Sequence, residues 1–208
     1  MYTKIIVAGL FALLASTSSL ASTWYVNVDT SLLNGQTGYL DFQFLPGDAS
    51  APPATASIAT FTTTGTNVAT SPTLSGDVIG DLNSTVILGN SQFFNDLLQG
   101  FTFGTNLSFS VNLDLPIASP DPMASGTAFS LWLYDASYNA LLSDPAWGAT
   151  LVLDLKGSGV VDVLAKSNAV SLSPTAPVPV PLPGSIGLLL GSISALSLTF
   201  GKGRKKQI

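Results

Sequence analysis

Hydrophobic and polar positions alternate along much of this chain. Leu107, Phe109, Val111, Leu113 and Leu115 alternate with Ser108, Ser110, Asn112 and Asp114. A period of two held for nine residues matches the pleat of a strand with one face buried. Similar runs lie at 24–28, 39–45, 55–61, 85–88, 127–134, 149–156, 160–164 and 169–172. They are punctuated by Leu33-Asn34-Gly35, Pro46-Gly47-Asp48, Ser119-Pro120-Asp121-Pro122 and Lys156-Gly157-Ser158-Gly159, the residue types that turns require. One segment departs from alternation. Over 91–99, Phe93, Phe94, Leu97 and Leu98 have i, i+3, i+4 spacing and Gly100 follows, which predicts a short helix with a glycine stop. Eight or nine short strands with one short helix predict an all-β fold, an antiparallel β-sandwich of jelly-roll-like form. No internal repeat points to a solenoid or propeller.

The two ends read differently. Residues 1–21 carry Lys4, an apolar run from Ile5 to Leu14, a Ser/Thr stretch, and Ser19 and Ala21 flanking Leu20. This is the pattern of a secretory signal peptide cut after Ala21. The competing reading, a retained membrane helix, has an apolar run of only ten residues against about 20 needed to span. Residues 174–183 form a Pro-rich spacer with Pro177, Pro179, Pro181 and Pro183, an extended polyproline segment. Residues 184–201 follow with no charge before Lys202. At 1.5 Å per residue, the 16 apolar and small residues from Ser185 to Phe200 reach about 24 Å against a hydrocarbon core of about 30 Å. That predicts a C-terminal transmembrane helix with little margin. The basic tail 202–208, with Lys202, Arg204, Lys205 and Lys206, predicts a cytoplasmic end and an exported remainder. The competing reading is a core helix of the domain, but nothing polar marks an outward face.

Composition narrows the chemistry. Only 9% of the 208 residues are charged, and 46 are Ser or Thr. There is no Cys, His or Glu, and Arg204 is the sole arginine. Disulfides, Cys/His zinc sites, cysteine nucleophiles and histidine-based triads are excluded. The body, residues 22–173, holds all twelve Asp against Lys156 and Lys166, a net charge of −10. Such a body repels phosphate backbones, so nucleic acid is not an expected partner; divalent cations and neutral polymers fit better.

Val180-Pro181-Leu182-Pro183, the Gly-rich apolar segment and the basic cluster Lys202, Arg204, Lys205 and Lys206 together resemble the PEP-CTERM sorting signal of bacterial exported proteins. The resemblance covers about 30 C-terminal residues. It implies an exosortase-type membrane sorting enzyme as partner, cutting near the proline motif. It also implies transient anchoring in the inner membrane, then release to the cell surface or outside. Leu182 stands where the motif has Glu. The body, with Ser22-Thr23-Trp24-Tyr25-Val26-Asn27-Val28-Asp29, Gly38-Tyr39-Leu40-Asp41-Phe42-Gln43-Phe44 and Phe93-Phe94-Asn95-Asp96, is also similar to small PEP-CTERM proteins of uncharacterised function. That likeness implies no catalytic residues.

If Phe42, Phe44, Phe109, Val111, Leu131, Leu133, Leu151 and Leu153 face inwards, the pleat sends another set outwards. From that set Tyr25, Tyr39, Asp41, Asn112, Trp132 and Tyr134 make a candidate glycan-binding face. Aromatic rings stack on the C–H surfaces of sugars while Asp and Asn take their hydroxyls. The competing reading is an ordinary solvated strand face, with Trp132 or Tyr25 shielding an edge or filling a second core. Calcium is a candidate ligand for an Asp-rich exported chain. Asp81-Leu82-Asn83-Ser84-Thr85 mimics the start of an EF-hand loop, but Val86 replaces its Gly and Gln92 its bidentate Glu. Asp29, Asp48 and Asp121 are alternatives that spacing cannot choose between, and each suits a solvated Asx-turn better. Twelve Asp residues would also allow a carboxylate pair for glycoside hydrolysis. The sequence reading is therefore a non-enzymatic exported surface or matrix protein, with a carbohydrate-binding module and an Asp-dependent glycoside hydrolase as alternatives.

Overall fold

The computed structural model describes residues 20–174 except 69–70, 120 and 122–123. The expected signal segment up to residue 19, the proline spacer beyond Pro174, the terminal helix, the basic tail and the sorting motif lie outside the described residues. Among the described residues no helix is long and apolar enough to cross a membrane.

The described residues are all-β and antiparallel apart from one short 3-10 turn. Its strands are β1 (Leu20–Asp29), β2 (Thr37–Pro46), β3 (Thr55–Thr63), β4 (Thr66–Asn67), β5 (Thr73–Ser75), β6 (Val78–Ile79), β7 (Val86–Gly89), β8 (Asp96–Thr102), β9 (Asn106–Leu115), β10 (Thr127–Asp135), β11 (Ala140–Leu141), β12 (Leu151–Leu155), β13 (Val161–Lys166) and β14 (Val170–Pro174). The first sheet has the order β14-β1-β9-β3-β7-β6; the second has β13-β12-β10-β2-β8-β4, with β11 beside β10 and β5 beside β8. The alternation read from the sequence is realised in both. Phe42, Phe44, Val111, Leu131, Leu133, Leu151, Leu153 and Phe109 are all 2% exposed or less. Edge-to-face rings join the sheets: Phe42 of β2 meets Phe109 of β9 at 5.2 Å and 89°, and Phe61 of β3 meets Phe101 of β8 at 6.4 Å and 80°. With no cysteine in the sequence, this packing and the ladder hydrogen bonds hold the fold.

The helix expected over 91–99 does not form. Residues 91–95 bend, and 96–102 continue as β8 against β2, pairing Phe42 with Leu97 and Leu40 with Gln99. Phe93 and Phe94, assigned to the helix's apolar face, are 73% and 52% exposed. The reason lies in the fully buried Asn95. Its amide nitrogen donates to the Phe44 and Gln92 carbonyls at 2.9 and 2.7 Å, and its oxygen accepts the Asp77 N–H at 2.9 Å. These bonds fix a bend, and the open side of β2 then supplies β8 with backbone partners that outweigh local helical spacing. A single 3-10 turn, Ser31–Leu33, is the only helical element among the described residues.

Candidate functional site

β2 and β10 are neighbours in the second sheet, and their outward side chains meet in register: Tyr39 opposite Tyr134, Asp41 opposite Trp132, Gln43 opposite Ser130. Successive outward positions on β10 set the Trp132 and Tyr134 rings 10° from parallel, centroids 5.9 Å apart. The turn after β10 adds a ring that sequence reasoning missed. Asp135 accepts the Ser137 and Asn139 N–H groups at 2.8 and 2.9 Å and the Asn139 side-chain amide at 2.8 Å. Those bonds, the Asn139 side chain's first, hold its carboxyl below the usual range. The turn they close holds Tyr138 at φ 63° and lays its ring on Tyr39, 4.6 Å away and 9° from parallel. A hydrogen bond with Tyr39 lifts the Tyr138 phenol above its ordinary pKa. Tyr134 and Tyr138 are 6.2 Å apart at 56°, so the four rings form two near-parallel pairs meeting at an angle. The Asp-x-x-Tyr-Asn run 135–139, a turn signal directly after a strand, is the trace that could have pointed to Tyr138.

Trp132 anchors a small second core. With Ala128 it packs against Ala149, Val152 and Ala165, and its indole N–H donates to Ser130 Oγ at 3.1 Å. A Cβ at Gly148 would lie at van der Waals distance, 3.4 Å, from its Cζ3 atom. Tyr138, by contrast, is 55% exposed, and Tyr39 and Tyr134 are half-buried.

Asp41 departs from its expected role. Outward on the pleat, it should have met sugar hydroxyls; it is 5% exposed. Tyr39 and Gln43 flank it on its own strand, with Trp132 and Leu98 directly opposite on β10 and β8. Its Oδ2 accepts the Gln43 amide at 2.6 Å, while its Oδ1 and the Oδ1 of the buried Asp96 are buried without a partner. Burial pushes the Asp41 carboxyl up to about 7, against the Gln43 hydrogen bond and with help from the charge of Asp96. Tyr134 is raised too, by burial and then by Asp41. Asp41 thus sits between Trp132 and Leu98 with its Oδ1 buried and its Oδ2 taken by Gln43.

The six candidate residues do not share one face. Tyr25 pairs with Ser110, and Thr23 with Asn112, on β1 and β9 of the first sheet, where Thr23 Oγ1 donates to Asn112 Oδ1 at 3.2 Å. Tyr39, Asp41, Trp132 and Tyr134 belong to the second sheet. The core lies between, so Tyr25 and Asn112 occupy the opposite outer surface of the domain.

The loop carboxylates form turns. Asp29, Asp48, Asp81 and Asp144 each accept, through Oδ1, the N–H two residues ahead at 2.7–3.0 Å, the geometry of an Asx-turn. Side-chain hydroxyls that donate to the same carboxylates, Ser31 to Asp29 and Ser125 and Ser50 to Asp48, and after them the turn N–H bonds, hold both carboxyls below the usual range. The backbone N–H of Asp121 donates to Ser119 Oγ at 3.2 Å. Among the described residues no three His, Cys, Asp or Glu gather as a metal-ligand group. Asp48 lines a surface pocket of about 320 Å³ and Asp81 another of about 280 Å³, each the only carboxylate among the described residues of its lining.

Comparison of the chain with protein-family models, with characterised proteins and with solved structures finds no match in any of the three.

Proposed function

We propose that this chain is a non-enzymatic exported surface or extracellular-matrix protein, delivered by the PEP-CTERM-like signal at Val180–Pro183 and its basic tail. Its partners in transit are the inner membrane and an exosortase-type sorting enzyme. The observation that carries the non-enzymatic part is the fate of the carboxylates, the chain's only abundant acid–base groups. Four of them accept their own loop's N–H in Asx-turns, and Asp135 closes a fifth turn. An Asp-dependent hydrolase has less support. Asp41 and Asp96 interact, but both are nine-tenths buried, where a hydrolytic pair must flank a bound glycosidic bond. The jelly-roll-like form is favoured by the links β1–β2, β2–β3, β7–β8, β8–β9, β9–β10 and β13–β14, each of which passes from one sheet to the other.

Delivery is tested by the intact mass of the protein recovered from cells and medium. The expected species starts at Ser22 and ends near Pro183; full-length protein confined to the cytosol overturns the reading. β1 begins at Leu20, so cleavage after Ala21 costs the pairs of Leu20 and Ala21 with β9 and leaves eight others, Ser22 to Asp29.

A second reading, a polysaccharide-binding module, is favoured by the aromatic ridge of Trp132, Tyr134, Tyr39 and the exposed Tyr138. In affinity electrophoresis through gels holding neutral polysaccharide, the protein should be retarded and Tyr138→Ala should weaken that retardation. Mobility unchanged across a panel of neutral glucans and mannans sinks it. Tyr138→Ala is preferred to Trp132→Ala because Trp132 also supports the second core.

A further inference from the structure

We propose that the outer face of the first sheet is a second site for neutral polysaccharide, so that one domain holds two glycan chains on opposite surfaces and cross-links them. The inference rests on the carbohydrate-binding reading and extends it to a surface that reading does not use. A groove of about 300 Å³ crosses β14, β1, β9 and β3 there, lined by Tyr25, Asn27, Thr60, Ser108, Ser171 and Ser173 among others. Its size is at the lower end of small-ligand sites. Three features suit a sugar. Tyr25 is 52% exposed and offers a ring for stacking. Hydroxyl and amide groups from four strands surround it, able to donate and to accept. Among the described residues no charged side chain lines the groove, and Lys156 and Lys166 are the only cations of the body, so a neutral glycan meets no repulsion whereas an acidic one does.

A fourth observation is independent of composition. The pairing of β3 with β9 is broken by a bulge between Ala59 and Thr62, and within it Thr60 adopts φ 53°. A β-branched residue in the left-handed region is strained, and such strain concentrates at binding sites, held by surrounding structure. Here the bulge turns Thr60 to the groove, where its Oγ1 lies 3.0 Å from Ser110 Oγ, which itself donates to the Ala59 carbonyl at 3.2 Å. Thr62 Oγ1 and Ser108 Oγ are 2.7 Å apart beside it. The result is a fixed hydroxyl array next to an exposed ring, on the surface opposite the Tyr39, Tyr134 and Tyr138 ridge.

The test uses the full-length protein with soluble neutral polysaccharides, galactomannan and mixed-linkage β-glucan, and with alginate as the acidic comparison. Two sites predict retardation in the gel and also turbidity when protein and neutral polysaccharide are mixed near equivalence, with little of either for alginate. Tyr25→Ala should keep at least a third of the retardation, through the opposite face, and lose the turbidity; Tyr138→Ala should do the same through the first sheet. Circular dichroism matching the wild type checks that each variant is folded, and Thr60→Gly, which relieves the strained backbone, should lower turbidity without lowering the melting temperature. Turbidity unaffected by Tyr25→Ala and Thr60→Gly overturns the second site. Loss of all retardation with Tyr138→Ala alone also overturns it, while leaving the ridge as a single site. Loss of all retardation with Tyr25→Ala alone places binding on the first sheet only, which removes the cross-linking proposal and the ridge together. No retardation of wild type on any neutral polymer rejects both sites at once.

Discussion

Replacing Asp41 by Asn should stabilise the protein at neutral and alkaline pH and do progressively less as the solution is acidified. Asp41 is nearly inaccessible, its Oδ1 has no partner, and Asp96 lies close enough to oppose its charge. The folded state therefore prefers the protonated acid. A carboxyl moved from 3.8 to about 7 corresponds, at about 1.4 kcal/mol per tenfold change in proton affinity, to at most about 4 kcal/mol. The sign follows from proton binding. Below pH 3.8 the acid is neutral in both states and its contribution is complete; as pH rises the unfolded chain ionises first, and the contribution is lost by about pH 7. The amide introduced by Asp41→Asn carries no charge at any pH, and its carbonyl can still accept the Gln43 amide that Asp41 Oδ2 accepts at 2.6 Å. The stability of Asp41→Asn minus that of wild type should thus climb between about pH 4 and about pH 7.5 by up to about 4 kcal/mol, then level off. Urea unfolding followed by tryptophan fluorescence at acidic, near-neutral and mildly alkaline pH measures the difference, and taking it cancels the repulsion among the other carboxylates. Asp96→Asn should move the wild-type decline to lower pH. A difference that stays flat, or narrows as pH rises, refutes the reasoning and indicates a charge neutralised by something other than a proton.

Three further outcomes follow from the packing. Asn95→Ala should cost roughly 3 kcal/mol in the same urea assay, because the buried Asn95 side chain loses its three hydrogen bonds, to the Phe44 and Gln92 carbonyls and from the Asp77 N–H, each worth about 1 kcal/mol. Gly38→Ala should cost about 2 kcal/mol or more, or prevent folding, since its Cβ would overlap the Tyr134 carbonyl oxygen and press on the Phe103 ring; overpacking of this kind typically costs about 1–3 kcal/mol, and an unchanged unfolding midpoint would contradict the approach of the two backbones. EDTA should leave the melting temperature unchanged, because Asp29, Asp48 and Asp81 are already committed to turn N–H groups; a fall of several degrees, restored by calcium, would reveal a stabilising ion.

Which residues of each strand lie inside was legible from the order of amino acids alone. Alternation has a period of two, the pleat has the same period, and burial follows from the hydrophobic effect without knowledge of strand order; hence the eight residues expected inwards are buried. The chemistry of the connecting turns was legible too, because Asp two residues before an N–H makes a local hydrogen bond. What those strands meet was settled by long-range pairing. Local spacing at 91–99 suited a helix, but the unpaired side of β2 and the buried bend at Asn95 drew the chain into β8. Strand order split the six candidate glycan residues, uniting Tyr39 with Trp132 and Tyr134 and sending Tyr25 and Asn112 to the other surface. It also buried Asp41 among its strand neighbours, where burial raises its carboxyl to about 7, far above that of the same residue in a solvated loop. These outcomes depend on contacts between residues far apart in the chain, about which a local pattern carries no information.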